Sequence, residues 1–224
     1  MIAPNGYRLF HAIAILYVAV LIISNTIAVK IIEVGSFVLP AGIICFPVAY
    51  IINDVLAEVY GYQKTKSVVW WSFAALFLMS MLYFASVHLP SAGFWEHQDA
   101  YSQLFGLVPR IAAASFFAFL VGSFLNAYAL SKMKIWSEGK HLWMRTIGST
   151  VIGEGADSVI FNFTAFYGIF ATQDLLLIAL SGFVLKTLYE VLATPLTYYV
   201  INKVKSIEGI DTYDRGISYN PFKG

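Results

Sequence analysis

The sequence predicts an all-α integral membrane protein with six transmembrane helices, and its composition and hydropathy are the basis of this prediction. Of the 224 residues, 59% are hydrophobic and 12% are charged, and the mean hydropathy is +0.72. Soluble domains have about 45–50% apolar and about 25% charged residues. A helix needs roughly 20 residues to cross a bilayer. Six apolar runs reach that length, at residues 9–29, 39–60, 68–87, 110–131, 144–170 and 175–201.

The connectors between these runs are short, so we expect one membrane domain over residues 1–224, with residues 202–224 as a cytoplasmic tail. No small-residue cleavage pattern follows the first run, which therefore predicts a retained helix and not a signal peptide. Cys45 is the single cysteine, so no disulfide within the chain is expected. No clustered His or Cys residues indicate a metal site, and we expect no cofactor.

The basic residues predict the orientation of the chain. Of the 14 Lys and Arg residues, 11 fall on one side of the predicted spans, whereas Lys30 and Arg110 fall on the other and Lys186 lies within a span. Because basic residues concentrate in cytoplasmic loops, both termini are expected in the cytoplasm. Topology accounts for these residues, so the net charge of +1 does not indicate a nucleic-acid partner. Tryptophans flank the spans as expected interfacial anchors, at Trp70, Trp71, Trp136 and Trp143.

The connector from His88 to Pro109 is the longest on the predicted outer side. It contains several aromatic residues, Trp95 among them. Two interpretations fit this composition: the loop lies on the membrane surface, or it folds over a site as a lid.

Two carboxylates interrupt the fifth run. Glu154 and Asp157 are three residues apart and on a helix share one face with Ser158 and Phe161. A charge near the bilayer centre costs between about 3 and more than 10 kcal/mol, so we expect these acids to face a polar site inside the protein. Asn162 begins an Asn-x-Thr pattern, which we interpret as chance because it lies within a span.

The second run carries a further polar group, Asn53 and Asp54, followed by Glu58. Asp54 and Glu58 are four residues apart and are expected on one helical face. Glu58 either belongs to the site or pairs with Lys64 or Lys66 at the cytoplasmic interface. Asp54, one turn deeper, either contacts a ligand or makes a structural hydrogen bond to a neighbouring helix.

Prolines and a glycine mark expected irregularities in these helices. Pro47 would free the carbonyl of Ile43, and Pro195 that of Val191, so each predicts a kink. Gly61 is expected to end the second helix.

The remaining polar groups at depth are Lys186 and Glu190 in the sixth run, Asn25 in the first and Asn126 in the fourth. Lys186 and Glu190 are four residues apart and could neutralise one another within one helix, or one of them could act on the ligand. For each asparagine, a hydrogen bond between helices explains the residue as well as ligand contact does.

This set of residues favours binding and passage of a small polar ligand over catalysis. The chain has no nucleophile elbow, zinc-protease pattern or phosphate-binding loop, so an enzyme is not expected. Carboxylates accept two N–H donors side by side, and aromatic rings stack on flat heterocycles.

Several short motifs of polar, aromatic and glycine residues follow one another along essentially the whole chain. They are Ser24-Asn25-x-x-Ala28-x-Lys30, Asn53-Asp54-Val-Leu-Ala-Glu58-Val-Tyr60-Gly61, Arg145-Thr-Ile-Gly-Ser-Thr150, Gly153-Glu154-x-x-Asp157-Ser158-x-Ile160-Phe161, Ala165-Phe-x-Gly168, Lys186-Thr-Leu-Tyr-Glu190 with Pro195, and Asn220-Pro-Phe222. Together and in this order, they resemble the motifs of the queuosine precursor transporters, also grouped as vitamin uptake transporters. Ser123 departs from the larger acid or amide frequent in that family, which weakens any family-based role for the fourth span.

The resemblance implies a six-helix fold similar to the substrate-binding subunits of energy-coupling-factor transporters. It also implies import across the cytoplasmic (inner) membrane of 7-cyano-7-deazaguanine and 7-aminomethyl-7-deazaguanine, precursors of the tRNA nucleoside queuosine. The N1–H and 2-amino group of such a base could be bound by Glu154 or Asp157, with Phe161 against a ring face. Which carboxylate does so, which base is preferred and whether the chain forms a homo-oligomer are left open.

Three hypotheses differ in class: a self-sufficient carrier of a deazapurine, a binding subunit that docks on an ATP-driven module, and a membrane enzyme. The second requires a strip of small residues on the first helix, where the sequence offers Ser24-x-x-x-Ala28. For the carrier, uptake is either proton-coupled or facilitated with metabolic trapping. Carboxylates in a low-dielectric site can take up protons, which makes Glu154, Asp157 and Asp54 candidate proton carriers.

Overall fold

A computed structural model of the chain describes residues 7–136, 142–210 and 212. The predicted cytoplasmic tail comprises residues 202–224, and residues 211 and 213–224 of it lie outside the described residues. Some of the residues used to predict orientation and anchoring also lie outside the described residues, or their side chains do: Lys132, Lys134, Trp136, Lys140, Trp143, Arg145, Arg215 and Lys223.

The described chain is a bundle of helices with one small hairpin. Its helices are α1 (Phe10–Ile27), α2 (Phe46–Val55), α3 (Tyr62–His88), α4 (Gln98–Phe105), α5 (Val108–Trp136), α6 (Leu142–Phe166) and α7 (Thr172–Glu208). The hairpin consists of β1 (Ile31–Val34) and β2 (Phe37–Pro40), which pair antiparallel.

Among the described residues, five segments are long and apolar enough to cross a membrane: Phe10–Ile27, Ala41–Tyr60, Tyr62–His88, Gln98–Ser123 and Thr172–Glu208. The chain is thus an all-α, multi-pass membrane protein. The predicted span 144–170 corresponds to helix α6, which is not one of these five. The sixth span therefore stays a prediction.

The second span changes helix type twice. It begins as a 3₁₀ turn over Ala41–Cys45, continues as α2 and ends as a π turn over Leu56–Tyr60. Gly61, with φ +83°, ends it as predicted. The kink expected at Pro47 is not what the structure shows. Pro47 stands in the first turn of α2, where no helical N–H is needed, and the carbonyl of Ile43 accepts a hydrogen bond from the N–H of Phe46.

The hairpin was not predicted, because the first two predicted spans, 9–29 and 39–60, left residues 30–38 as a short connector. Helix α1 ends at Ile27, and the chain turns back at Gly35, whose φ of +62° suits a residue without a side chain. Strand β2 packs on α7, where the hydroxyl of Ser181 accepts a hydrogen bond from the N–H of Val38 at 3.2 Å. The hairpin is thereby held against the end of the bundle.

The long connector 88–109 folds back on the helices that it joins. Gln98 donates a hydrogen bond to the carbonyl of Val87 at 3.1 Å, and the Tyr101 hydroxyl donates to Ser86 Oγ at 2.9 Å. Helix α4 therefore lies beside the end of α3.

Helices α5 and α6 approach one another closely through glycines. A Cβ atom built on Gly153 would lie 2.8 Å from Asn126 Cβ and 2.9 Å from the carbonyl oxygen of Gly122. Small residues allow two helix backbones to come this close. This close crossing determines how the face of α6 that carries Glu154 and Asp157 is oriented relative to α5.

Candidate functional site

A cavity of about 500 Å³ lies within the bundle. Its walls come from α1, α2, α3, α5, α6 and α7, and Leu39 and Pro40 of β2 line one end, which we call the hairpin end. None of the residues 88–109 lines it, so the connector is not a lid in this structure. The hairpin, and not the connector 88–109, contributes to the cavity wall.

The nine residues predicted from the sequence to contact the ligand line this cavity, although they come from five different helices, whereas the alternative candidate Glu58 does not line it. They are Asn25, Asn53, Asp54, Asn126, Glu154, Asp157, Phe161, Lys186 and Glu190.

The two acids of α6 share a cation from α7. Lys186 Nζ lies 2.6 Å from Asp157 Oδ2 and 3.2 Å from Glu154 Oε2. The shorter contact is a hydrogen bond, and the longer one is an ion pair. Lys186 also lies 5.2 Å from the centroid of the Phe46 ring, close enough for a cation–π contact. Lys186 therefore holds Asp157 more closely than it holds Glu154.

The neutralising pair expected within α7 is contradicted. Lys186 turns to the acids of α6, and Glu190, one turn further along, has a neutral partner instead. Glu190 Oε1 accepts a hydrogen bond from Thr150 Oγ1 at 3.2 Å. Spacing alone allowed the i, i+4 pair, but packing of α6 on α7 gives Lys186 two carboxylates in place of one.

The charges in the wall do not balance. Among the described residues that line the cavity, Asp54, Glu154, Asp157 and Glu190 are acidic, and Lys186 is the one cation. Such a wall favours ligands that present N–H donors or positive charge, because ionised carboxylates only accept hydrogen bonds.

The asparagine of α1 makes the hydrogen bond between helices that was one of its two interpretations. Asn25 Oδ1 accepts from Ser115 Oγ at 2.7 Å, and its amide donates to the carbonyl of Leu21 at 2.9 Å. Asn126 of α5 differs, since its Oδ1 is buried without a hydrogen-bond partner among the described residues. Asn25 is thus used in packing, whereas Asn126 retains an acceptor in the cavity wall.

Asp54 and Glu58 separate in the structure. Asp54 lines the cavity, whereas the Glu58 side chain is 59% exposed and pairs at 2.7 Å with Lys205, not with the predicted Lys64 or Lys66. Glu58 stands in the π turn Leu56–Tyr60, one turn beyond Asp54, and Lys205 of α7 is its partner there.

Sequence reasoning missed two aromatic residues of α2 in the wall, Phe46 and Tyr50. Both precede Asp54 at intervals of four residues, so the three lie along one helical face. That spacing places the two rings on the face of Asp54, but aromatic residues are so common in this chain that the spacing alone does not identify them as cavity residues.

Comparison with known proteins identifies relatives of the chain. Residues 40–200 match the profile of the family described as "Putative vitamin uptake transporter". No solved structure matches the chain.

Three curated proteins are similar over much of the chain. "Probable queuosine precursor transporter" of Bacillus subtilis (strain 168) is 28% identical over 176 residues, which cover 78% of this chain and 77% of the relative. "Queuosine precursor transporter" of Escherichia coli (strain K12) is 22% identical over 188 residues, 83% of this chain and 82% of the relative. "Probable queuosine precursor transporter" of Haemophilus influenzae (strain ATCC 51907 / DSM 11121 / KW20 / Rd) is 24% identical over 126 residues, 56% and 51% respectively.

Proposed function

The chain belongs to the vitamin uptake transporter family that includes the queuosine precursor transporters, and we propose that it imports queuosine precursors, 7-cyano-7-deazaguanine and 7-aminomethyl-7-deazaguanine, across the cytoplasmic membrane. Family membership makes it a transporter and not an enzyme. The observation that carries the choice of substrate is a cavity among membrane helices whose wall holds four carboxylates and a single ammonium among the described residues.

The chemistry of the ligand matches that of the wall. A 7-deazaguanine presents N1–H and a 2-amino group on one edge, and a carboxylate accepts both in parallel. Glu154 is the better candidate for this edge, because its contact with Lys186 Nζ is 3.2 Å long, whereas Asp157 is hydrogen-bonded to the same ammonium at 2.6 Å. Phe161 lines the same cavity and supplies an aromatic face for stacking. The acidic wall also suits the ammonium of the 7-aminomethyl form.

We further propose that α6 is the sixth span and that both termini lie in the cytoplasm, in a fold similar to the substrate-binding subunits of energy-coupling-factor transporters. Buried between α5 and α7, the polar residues of α6 would face the cavity and not lipid. Cytoplasmic termini would place the hairpin end of the cavity at the outer surface.

A self-sufficient carrier is favoured over a subunit that docks on an ATP-driven module. The docking strip of such a subunit would need Ser24 and Ala28 on the outside of α1. Instead, Ser24 Oγ donates a hydrogen bond to the carbonyl of Gly42 at 3.0 Å, and Ala28 is 3% exposed. The small residues of α1 are used to pack the chain's own second span.

Direct binding to the purified protein tests the proposal. Both 7-deazaguanines should bind, with guanine weaker and unrelated vitamins without measurable binding. Import should then occur in lipid vesicles that contain this chain alone. Binding of a vitamin in preference to the deazaguanines would refute the proposed substrate. Import that requires added ATPase subunits would refute the self-sufficient carrier.

A further inference from the structure

Ser158 and Asn162, one turn apart on α6, each have a side-chain oxygen in the cavity wall without a hydrogen-bond partner in the described part of the chain. Ser158 and Asn162 are 2% and 3% exposed, and both line the cavity. Among the described residues, nothing hydrogen-bonds to Ser158 Oγ or Asn162 Oδ1. A buried unpaired polar atom costs about 1–3 kcal/mol, so two of them side by side in a cavity wall indicate groups that a ligand satisfies.

The orientation of the Asn162 amide is set within α6. Its Nδ2 donates to the carbonyl oxygen of Ser158 at 2.8 Å, which leaves Oδ1 as the group without a partner. An amide oxygen can only accept, so its missing partner is a donor. The Ser158 hydroxyl can donate or accept.

The spacing along α6 suits a flat ligand with two fused rings. Glu154 and Asn162 are eight residues apart on one face of α6, which is about 12 Å along a helix axis at a rise of 1.5 Å per residue. Two hydrogen bonds of about 2.9 Å leave about 6 Å for the ligand between them. Phe161 lies between them in sequence and lines the cavity. Ser158 lies toward the hairpin end, because a Cβ atom on Gly182 would sit 4.0 Å from Ser158 Oγ and 3.9 Å from Leu39 Cδ2. A ligand with one edge at the α6 acids would therefore bring its other ring to Asn162.

We propose that Ser158 and Asn162 form a recognition subsite for the five-membered ring of a free base, with Asn162 Oδ1 accepting the ring N–H. This inference rests on the proposed function. If the carboxylates take the donors of the six-membered ring, the N–H of the five-membered ring is the ring donor that remains. In a nucleoside that nitrogen carries the sugar and has no hydrogen, so the subsite selects bases and excludes their nucleosides.

The test compares 7-deazaguanine with its furan isostere, in which a ring oxygen replaces that N–H without adding bulk. The purified wild-type protein should bind the isostere about tenfold or more weakly, the range expected when a buried acceptor loses its donor. 7-Deazaguanosine should not bind measurably. In Asn162→Ala the difference in affinity between 7-deazaguanine and the isostere should fall to less than about threefold.

Thr187→Val is the matched control. Thr187 Oγ1 also lacks a hydrogen-bond partner among the described residues, but Thr187 does not line the cavity. This variant should discriminate between the bases as the wild type does. Asn162→Ser is a second variant if Asn162→Ala does not fold, and it should also lose discrimination.

Equal binding of the two bases by the wild type would overturn the subsite, as would full discrimination by a folded Asn162 variant. Failure of the wild type to bind any deazaguanine would instead refute the proposed function.

Discussion

Lys186 on α7 donates a hydrogen bond to Asp157 on α6, with 2.6 Å between Nζ and Oδ2. The two side chains are only 18% and 23% exposed. Removing one partner of a buried ion pair leaves an uncompensated charge, which typically costs about 3–5 kcal/mol. The pair is therefore expected to be a main determinant of the packing of α6 on α7.

Lys186→Met should lower the free energy of unfolding by about 3–5 kcal/mol, because two carboxylates then lack their cation. Adding Asp157→Asn should recover a large part of this loss. Thermal unfolding in detergent, followed by loss of monodisperse protein, measures both effects. Lys205→Met breaks an ion pair of similar length at the exposed Glu58 and should cost about 0–1 kcal/mol. A double variant that is no more stable than Lys186→Met would contradict the role given to the pair.

Glu154→Gln should remove ligand binding while the protein still folds. The change keeps the shape of the side chain but places an amide donor opposite the donors of the ligand. Equilibrium binding of 7-cyano-7-deazaguanine should weaken by about 100-fold, in line with loss of a charged hydrogen-bond acceptor worth about 1.5–3 kcal/mol. Glu58→Gln, a change of the same type at an exposed acid, should bind as the wild type does. Unchanged binding by folded Glu154→Gln would assign the ligand to another acid.

Gly153→Ala should disrupt the crossing of α5 and α6, because the added methyl group would lie 2.8 Å from Asn126 Cβ and 2.9 Å from the Gly122 carbonyl oxygen. We expect a loss of about 1–3 kcal/mol of stability, as for overpacking of a close contact. Gly155→Ala is the control, since its nearest atom would be Phe183 Cε2 at an ordinary 3.7 Å. Thermal unfolding measures both variants. Equal stability of Gly153→Ala and Gly155→Ala would contradict the prediction, because it would show that α5 and α6 can move apart without loss of stability.

Glu208 ties the start of α1 to the end of α7. Its carboxylate accepts hydrogen bonds from the N–H of Arg8 at 3.0 Å, the N–H of Leu9 at 2.6 Å and the hydroxyl of Tyr60 at 2.8 Å. Glu208→Ala should destabilise the protein by about 1–3 kcal/mol, because buried donors lose their acceptor. Tyr60→Phe removes one of the three bonds and should have the smaller effect in the same unfolding assay. Wild-type stability of Glu208→Ala would exclude this link as a stabilising feature.

Uptake measured in vesicles that contain no other protein distinguishes proton coupling from facilitated diffusion. Proton coupling predicts accumulation above the outside concentration under an imposed proton gradient and collapse when the gradient is dissipated. Facilitated diffusion predicts equilibration only. If accumulation occurs, neutral variants of Glu154, Asp157 and Asp54 are compared with Glu58→Gln as the control. The variant that exchanges ligand but no longer accumulates it identifies the proton carrier, and equilibration by the wild type would exclude coupling.

The sequence was sufficient for features that depend on one helix at a time. Hydropathy predicted the five candidate spans, because the length and apolar character of a segment decide whether it can cross a bilayer. The high cost of exposing a charge to lipid likewise predicted that Glu154 and Asp157 face inward, and both line the cavity.

Only the tertiary structure shows which residues form ion pairs with one another. Within α7, Lys186 and Glu190 have the spacing of a pair, yet the packing of α6 on α7 gives Lys186 to Asp157. Glu58 likewise pairs with Lys205, which follows it by 147 residues in the sequence. The position of the hairpin beside the cavity likewise depends on a contact between distant residues, Val38 and Ser181. Periodicity determines which face of a helix a residue occupies, but the groups opposite that face come from distant parts of the chain, so only the packed structure specifies them.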